Sequence, residues 1–166
     1  MEQIFLDGAL SKDGFITDQS KCENIPYGLR TSDANGCGWI AAYNFCRATG
    51  YAVSVREATR GLLRFSLLRA LAGTRCLLVY GYLRSLGYRL KLSCGAKDAI
   101  RAAGTAQAGI LFYRHSDGWH FVCLLPAGQG RLRFLNGWTG PRDPVKTMEA
   151  FIRENVKSKF LLTMSI

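Results

Sequence analysis

The sequence predicts an α+β protein in which helices come first and an antiparallel sheet follows. Apolar residues recur at helical spacing over residues 37–86, whereas short alternating apolar runs separated by turn residues fill residues 109–135. The chain has 166 residues, of which 48% are hydrophobic and 20% charged, the composition of an ordinary globular protein. This length is typical of one domain, so we expect a single domain over residues 1–166 with no linker or internal repeat.

The N-terminal part is expected to hold short strands and turns, with a tight turn at residues 12–14, followed by helices. The first helix is predicted to begin near Cys37 and to end at Gly50. A second helix is predicted over residues 54–71, because Ser54 and Glu57 have the spacing of a capping box. Thr74 is predicted to cap a third helix that ends near Leu86.

The C-terminal part carries the strand signals. A strand over 88–92 and a short helix over 96–103 precede three apolar runs at 109–113, 119–125 and 131–135. Turn clusters separate these runs, which predicts a three-stranded antiparallel meander. A last helix over 147–155, capped by Thr147, and a last strand over 159–166 complete the prediction.

The positive charge is concentrated in one segment of the chain. The formal net charge is +10, and residues 47–101 hold eleven basic and two acidic residues, or +9 of it. Such a segment favours an anionic partner. The candidates are an acidic peptide, nucleic acid and an anionic membrane. No RNP-like motif, zinc finger or helix-turn-helix supports nucleic acid, so an acidic peptide is favoured. Arg56, Arg60 and Arg64 lie four residues apart on one helix face, and we expect Arg60 and Arg64 to contact substrate.

The six cysteines and two histidines do not have the spacing of a metal site. No C-x-x-C pair is present, so we expect no metal and no cofactor. The acidic N-terminus lacks a signal-peptide core, and the apolar runs are too short to span a bilayer. We therefore expect a cytoplasmic protein with no membrane span and with reduced thiols.

Cys37 stands out among the cysteines because of its neighbours in Asn35-Gly36-Cys37-Gly38-Trp39. At the start of a helix, the helix dipole and the free N–H groups are expected to favour the thiolate. Gly36 and Gly38 are expected to leave the sulfur accessible and to let a substrate backbone approach. The alternative is a buried core cysteine, to which we assign the other five: Cys22, Cys46, Cys76, Cys94 and Cys123.

His120 and Asn136 are candidates for the base and for the group that orients it. Both lie on predicted neighbouring strands, so pairing of the strands brings them together, and the Asn136 amide oxygen is expected to accept from the imidazole. Trp138 is expected to cover the pair, and Trp119 is a further candidate for substrate contact. A core histidine and a simple Asn-Gly turn are the alternatives. His115 is expected to be an exposed turn residue.

These residues resemble those of the papain-like cysteine peptidases in their order, in the sixteen-residue step from His120 to Asn136, and in Asn136-Gly137-Trp138. The short chain, and Asn35-Gly36-Cys37-Gly38 followed by Ile40-Ala41-Ala42-Tyr43-Asn44, resemble the compact bacteriocin-leader-processing peptidases and their stand-alone bacterial relatives. Those enzymes cut after a double glycine in acidic or amphipathic leader peptides. The resemblance covers about residues 30–165. It implies a helical half, with the nucleophile at a helix N-terminus, packed on an antiparallel sheet.

The sequence departs from this family in two places. The family usually has an oxyanion-stabilising glutamine about six residues before the cysteine, where this chain has Thr31. Asn35 and the backbone N–H of Cys37 are the substitutes that the sequence offers, and loss of a good donor costs about 10²–10³ in rate. The leader-processing enzymes also tend to have aspartate where this chain has Asn136.

The predicted function is therefore that of a papain-like cysteine hydrolase acting on a peptide or protein. Cys37 attacks the scissile carbonyl, His120 transfers the proton, and Asn136 orients His120. One alternative is a non-catalytic binding protein of the same fold that holds acidic peptide or RNA through residues 47–101. A second is an acyl transferase that uses the same triad.

Overall fold

The computed structural model of the chain describes residues 6, 8–64, 74–138 and 143–166. Its helices are α1 (Ser32–Asn35), α2 (Cys37–Ala48), α3 (Val55–Arg64), α4 (Cys76–Ser85), α5 (Ala96–Ala103) and α6 (Met148–Asn155). A 3-10 turn at Gln19–Lys21 precedes them. The first four helices lie before the main sheet in the chain, as predicted.

The strands form a small hairpin and a six-stranded sheet. The hairpin pairs β1 (Pro26–Tyr27) with β2 (Arg30–Thr31). The sheet contains β3 (Lys91–Cys94), β4 (Gly109–Arg114), β5 (Trp119–Pro126), β6 (Leu132–Leu135), β7 (Val145–Lys146) and β8 (Leu161–Ser165). Its strand order is β3-β8-β4-β5-β6-β7, with antiparallel pairing throughout. Helices and an antiparallel sheet confirm the α+β class and the predicted meander β4-β5-β6.

Local hydrogen bonds explain where several helices begin. The Ser54 N–H donates to Glu57 Oε2 at 2.8 Å and the Glu57 N–H donates to Ser54 Oγ at 3.1 Å, which confirms the capping box of α3. Thr147 caps α6 by accepting from the Ala150 N–H. The prediction for Thr74 is wrong, because its hydroxyl lies 2.8 Å from the Tyr27 hydroxyl and α4 begins two residues later.

Two predicted boundaries differ from the structure or fall outside it. The helix predicted over 54–71 is described as far as Arg64, and its apolar positions 67, 68 and 71 lie outside the described residues. The strand predicted over 88–92 begins only at Lys91, where pairing with β8 starts. Tyr88 instead packs its ring edge-on against Phe45 of α2, with ring centroids 5.1 Å apart. With Tyr88 packed on α2, residues 88–90 do not pair with β8.

The two faces of the sheet pack on different cores. One face contacts α2 and carries Phe121 and Cys123 of β5. The other carries Val122 and Leu124 and packs against α5 and α6, where the Phe134 and Phe151 rings stack with centroids 3.9 Å apart. The alternation along β5 is therefore as predicted, and it directs neighbouring residues to opposite faces.

The described residues contain neither a membrane-crossing helix nor a metal-binding cluster. No helix in this part of the chain combines the length and the apolar content that crossing a membrane requires. No group of three or more histidine, cysteine, aspartate or glutamate side chains in the same ranges is arranged to hold a metal ion. All six cysteines are free thiols.

Candidate active site

Cys37 is the first residue of α2, which begins directly after α1. Gly36 joins the two helices in a right-handed helical conformation, with φ −79°. The Trp39 indole N–H donates to Ser32 Oγ at 3.0 Å and ties the first turn of α2 to α1. The start of the helix at Cys37, predicted from the sequence, is confirmed.

The glycines on either side of Cys37 pack tightly against other parts of the protein. A Cβ on Gly36 would lie 2.3 Å from the Ser32 carbonyl oxygen, and a Cβ on Gly38 would lie 2.5 Å from Thr74 Cβ. Both residues are buried. The expectation that Gly36 and Gly38 open a path for substrate is therefore corrected, because α1 and Thr74 already fill the space beside them.

The Cys37 thiol faces strand β5. Backbone N–H groups of Phe121, Gly38 and Cys37 itself lie within hydrogen-bond reach of the sulfur and lower the pKa of the thiol. Burial of the sulfur acts in the opposite direction and prevails, so that the pKa of Cys37 is raised from 9.0 to about 11. The net direction is opposite to the one expected for a cysteine at a helix start, because desolvation outweighs the N–H groups.

His120 makes a buried hydrogen bond to the main chain of Asn136. Its Nε2 lies 2.7 Å from the Asn136 carbonyl oxygen, and the side chain is 2% exposed. Since a carbonyl oxygen only accepts, Nε2 carries the proton and the lone pair of the neutral ring is on Nδ1. The predicted proximity of His120 and Asn136 is confirmed, and it follows from the β5–β6 register, which ends at the Cys123–Leu135 pair.

The Asn136 side chain, however, points elsewhere. Asn136 follows β6 in a left-handed conformation with φ 67°, which turns its carbonyl and its side chain in different directions. Its Oδ1 accepts from the Gln19 backbone N–H at 2.9 Å, and its Nδ2 donates to Gln19 Oε1 at 3.2 Å. The expectation that the Asn136 amide oxygen accepts from the imidazole is therefore corrected, because the carbonyl oxygen takes that place.

Gln19 is a site residue that the sequence analysis missed. It is buried in the 3-10 turn, and its Nε2 donates to the Asp33 carbonyl oxygen at 2.7 Å. It lies eighteen positions before Cys37, with the β1–β2 hairpin between them, so no fixed spacing indicates it. Thr31, at the usual glutamine position, is exposed as the last residue of β2, while Asn35 is half-buried at the end of α1.

Three aromatic rings surround the His120 imidazole. Tyr113, His115 and Trp138 contact it with ring centroids 5.9, 5.9 and 5.2 Å away. The His115 ring also stacks on Trp138 at 4.4 Å, and the Trp138 indole N–H donates to Asp117 Oδ2 at 2.9 Å. His115 is buried, so the expectation of an exposed turn residue is wrong, and burial lowers the pKa of His115.

A cavity of about 280 Å³ opens beside this cluster. His120, Asn136 and Trp138 line it from the sheet side, and Gln19 and Asp33 line it from the N-terminal side. Asp33 Oδ1 is buried and has no hydrogen-bond partner within the described ranges. The cavity therefore offers a place for a polar group next to the histidine.

Three other predicted substrate residues lie away from the cavity. Trp119 is on the face of β5 opposite His120, where it stacks on Phe112 with centroids 4.9 Å apart and is 46% exposed. Arg60 and Arg64 are exposed on α3. The structure brings Trp138 to the cavity, and does not bring Trp119, Arg60 or Arg64 there.

Comparison with known proteins gives a match at the level of the fold. No family model matches the sequence, and no curated protein matches it. Among solved structures, the chain is similar to the peptidase domain of Streptococcus ComA, a bi-functional ABC transporter involved in a quorum sensing pathway. The identity is 13%, the TM-score is 0.55, and the match covers 80% of this chain and 92% of that chain. The likeness confirms, for the fold, the predicted resemblance to the papain-like peptidases.

Proposed function

We propose that this protein is a cysteine peptidase with Cys37 as nucleophile and His120 as general base and acid. The observation that carries the proposal is the buried His120 Nε2–Asn136 carbonyl hydrogen bond, one residue along β5 from Phe121, whose backbone N–H reaches the Cys37 sulfur. This bond fixes the tautomer whose Nδ1 lone pair accepts a proton. The likeness of fold to a peptidase domain supports the same reaction class.

The proposed reaction begins from the protonated thiol and from the His120 tautomer that carries its proton on Nε2. Burial raises the pKa of Cys37 to about 11, which favours the protonated thiol before attack. His120 Nδ1 takes that proton as the sulfur bonds to the scissile carbonyl carbon, and gives it to the leaving amine as the C–N bond breaks. Water then attacks the thioester, the S–C bond breaks, and the thiol regains a proton through His120.

Gln19 is proposed as one donor to the oxyanion, and the Cys37 backbone N–H as the other. Its amide nitrogen has two protons, of which the Asp33 carbonyl oxygen takes one, and the residue lines the cavity next to His120. A buried, fixed donor of this kind is worth about 10²–10³ in rate. Gln19 thus takes the role that the sequence left to Asn35.

The proposed substrate is a peptide or protein with acidic residues. Arg56, Arg60 and Arg64 are exposed on α3 and form no ion pair within the described part of the chain. Their unneutralised charge attracts an anionic chain and speeds its capture at low salt. The substrate would dock on this surface while its scissile bond lies at Cys37.

The same charged surface favours a second function, in which the protein binds an acidic peptide or RNA without cleaving it. Exposed cations without partners are what such a binding surface requires. In this case Cys37 and His120 would be packing residues of the fold. An acyl transferase with the same residues differs from the peptidase only in the acceptor of the acyl group.

An electrophilic peptide probe tests the proposal. We expect a Gly-Gly vinyl sulfone to label Cys37, and we expect Cys37→Ala and His120→Ala to abolish labelling, as detected by mass spectrometry. Cys94→Ala, which removes an exposed thiol, is the matched control and should leave labelling unchanged. Labelling confined to Cys94 in the wild-type protein, or total labelling that Cys37→Ala leaves unchanged, would exclude Cys37 as nucleophile. Binding of an acidic peptide that Arg60→Glu abolishes and Cys37→Ala leaves intact, without turnover, would favour the binding protein.

We further propose that the protein works in the cytoplasm as one domain over residues 1–166. Six free thiols suit a reducing compartment. Helix α2 and the sheet share one core, which supports a single folding unit.

A further inference from the structure

The side chain and the main chain of Asn136 contact different residues of the site. The carbonyl oxygen accepts from His120 Nε2, whereas both polar atoms of the side chain contact Gln19. The residue is 1% exposed, so none of these bonds competes with bulk water. The main-chain carbonyl of Asn136 therefore orients His120, and the Asn136 side chain is available to orient Gln19.

We infer that the Asn136 side chain is a positioning residue for the Gln19 amide and not for His120, an inference that rests on the proposed function. The two contacts are complementary. Accepting from the Gln19 backbone N–H fixes the 3-10 turn, and donating to Gln19 Oε1 fixes which end of that amide is oxygen. With Oε1 held by Asn136, the Gln19 nitrogen is directed toward Asp33 and the cavity.

These contacts matter because Gln19 and Cys37 lie on separate elements of the fold. The β1–β2 hairpin lies between Gln19 and Cys37, so the helix that carries the nucleophile does not fix the glutamine by itself. Asn136, on the far side of the cavity, supplies the missing constraint. A buried donor without such a constraint would lose much of its value, because stabilisation of a developing charge depends on preorganised geometry.

The left-handed backbone of Asn136 allows a clean test. Glycine adopts φ 67° at least as readily as asparagine, so Asn136→Gly removes the side chain while it keeps the main-chain carbonyl in place. Alanine would add a steric cost in this conformation and would confuse the two effects. Gln19→Ala removes the positioned amide, and the double variant removes both.

Hydrolysis of a Gly-Gly p-nitrophenyl ester gives the first readout. We expect Asn136→Gly and Gln19→Ala each to lower kcat by about 10²-fold, and the double variant to lose no more than either single one. The acidic limb of the kcat/KM profile, which reports His120, should not move in Asn136→Gly. A shifted limb, or losses that multiply in the double variant, would overturn the inference.

The second readout does not depend on turnover. The ¹⁵N signals of the two histidines report their tautomers, and His120→Ala assigns them. We expect His120 to remain protonated at Nε2 in Asn136→Gly, while hydrogen exchange at the Gln19 backbone amide accelerates. A His120 tautomer that changes in Asn136→Gly, or unchanged Gln19 exchange, would refute the positioning role. If the wild-type protein shows no Cys37-dependent turnover, the proposed function fails, and these signals still decide the inference.

Discussion

The cavity lined by His120 and the basic helix α3 hold their polar groups in opposite environments. At the cavity, Gln19, His120 and Asn136 are buried and hydrogen-bonded. On α3, Arg60 and Arg64 are exposed and have no ion-pair partner in the described ranges. Loss of a buried partner costs about 1–3 kcal/mol, whereas an exposed charge contributes less than about 1 kcal/mol. Hydrogen bonds therefore fix the side-chain positions at the cavity, whereas the exposed arginines of α3 can attract anions over a longer range.

The largest effect on stability is expected at the start of α2. In Gly36→Ala the new Cβ would lie 2.3 Å from the Ser32 carbonyl oxygen, so backbone must move, and we expect a loss of about 3 kcal/mol in the free energy of unfolding. Gly104→Ala is the matched control, since a Cβ there meets no atom nearer than 3.6 Å. Urea denaturation measures both. Equal stability of the two variants would show that α1 and α2 are not rigidly packed.

Alkaline pH is expected to weaken the buried core. Burial raises the pKa of Cys46 from 9.0 to about 11, so the unfolded chain loses this proton first and unfolding is favoured as pH rises. The stability that the neutral thiol contributes is complete below pH 9.0 and is lost toward pH 11. In Cys46→Ala, the slope of unfolding free energy against pH in this window should be shallower by up to about 1.4 kcal/mol per pH unit.

The control for this experiment is the exposed thiol of Cys94, and Cys94→Ala should leave the slope unchanged. Urea midpoints at a series of pH values provide the measurement. An identical slope in Cys46→Ala and wild type would mean that the Cys46 thiol is solvated in the native protein.

A smaller effect is expected at the ion pair of Asp13 with Arg133, which lies outside the cavity. This hydrogen-bonded pair lowers the pKa of Asp13 from 3.8 to about 2. The stabilisation is complete above pH 3.8 and is lost as pH falls toward 2. Because Asp13 is about half exposed, Asp13→Asn should cost less than about 1 kcal/mol at pH 7. Thermal unfolding at pH 7 and pH 2 measures this cost, and a cost that persists at pH 2 would contradict the assignment.

The smallest effect on stability is expected on α3. The double variant Arg60→Glu and Arg64→Glu should change the free energy of unfolding by no more than about 0.5 kcal/mol, because both side chains are solvated. Association with an acidic fluorescent peptide should slow by about tenfold at low salt and converge with wild type at high salt. Stopped-flow fluorescence gives both rates. Equal rates at low salt would move the docking surface elsewhere.

Much of the fold could be predicted from the sequence because the capping, turn and alternation patterns of the chain agree with the burial of its side chains. Glycines around Cys37 mark the start of α2, and alternation in β5 assigns His120 and Phe121 to opposite faces. The proximity of His120 and Asn136 follows from strand pairing alone. These features depend on residues close in sequence or on neighbouring strands.

The remaining features depend on contacts or backbone angles that no local pattern encodes. Gln19 reaches the cavity only because the β1–β2 hairpin folds back, which hides its relation to Cys37. The sign of φ at Asn136 decides whether its carbonyl or its side chain contacts His120. The pKa of Cys37 depends on how completely the sulfur is buried. His115 is buried by Trp138, a residue from another strand connection.

The raised pKa of Cys37 also bears on oxidative damage. Peroxide converts cysteine to sulfenic acid through the thiolate, and burial raises the pKa of Cys37 and so disfavours its thiolate. With Cys37 as the proposed nucleophile, ionisation only when a carbonyl is in place would spare the sulfur such oxidation between turnovers. Cys94, exposed on β3, would be the first thiol to oxidise, at a position outside the cavity. The protein would thus keep its reactive sulfur intact under conditions that modify its surface.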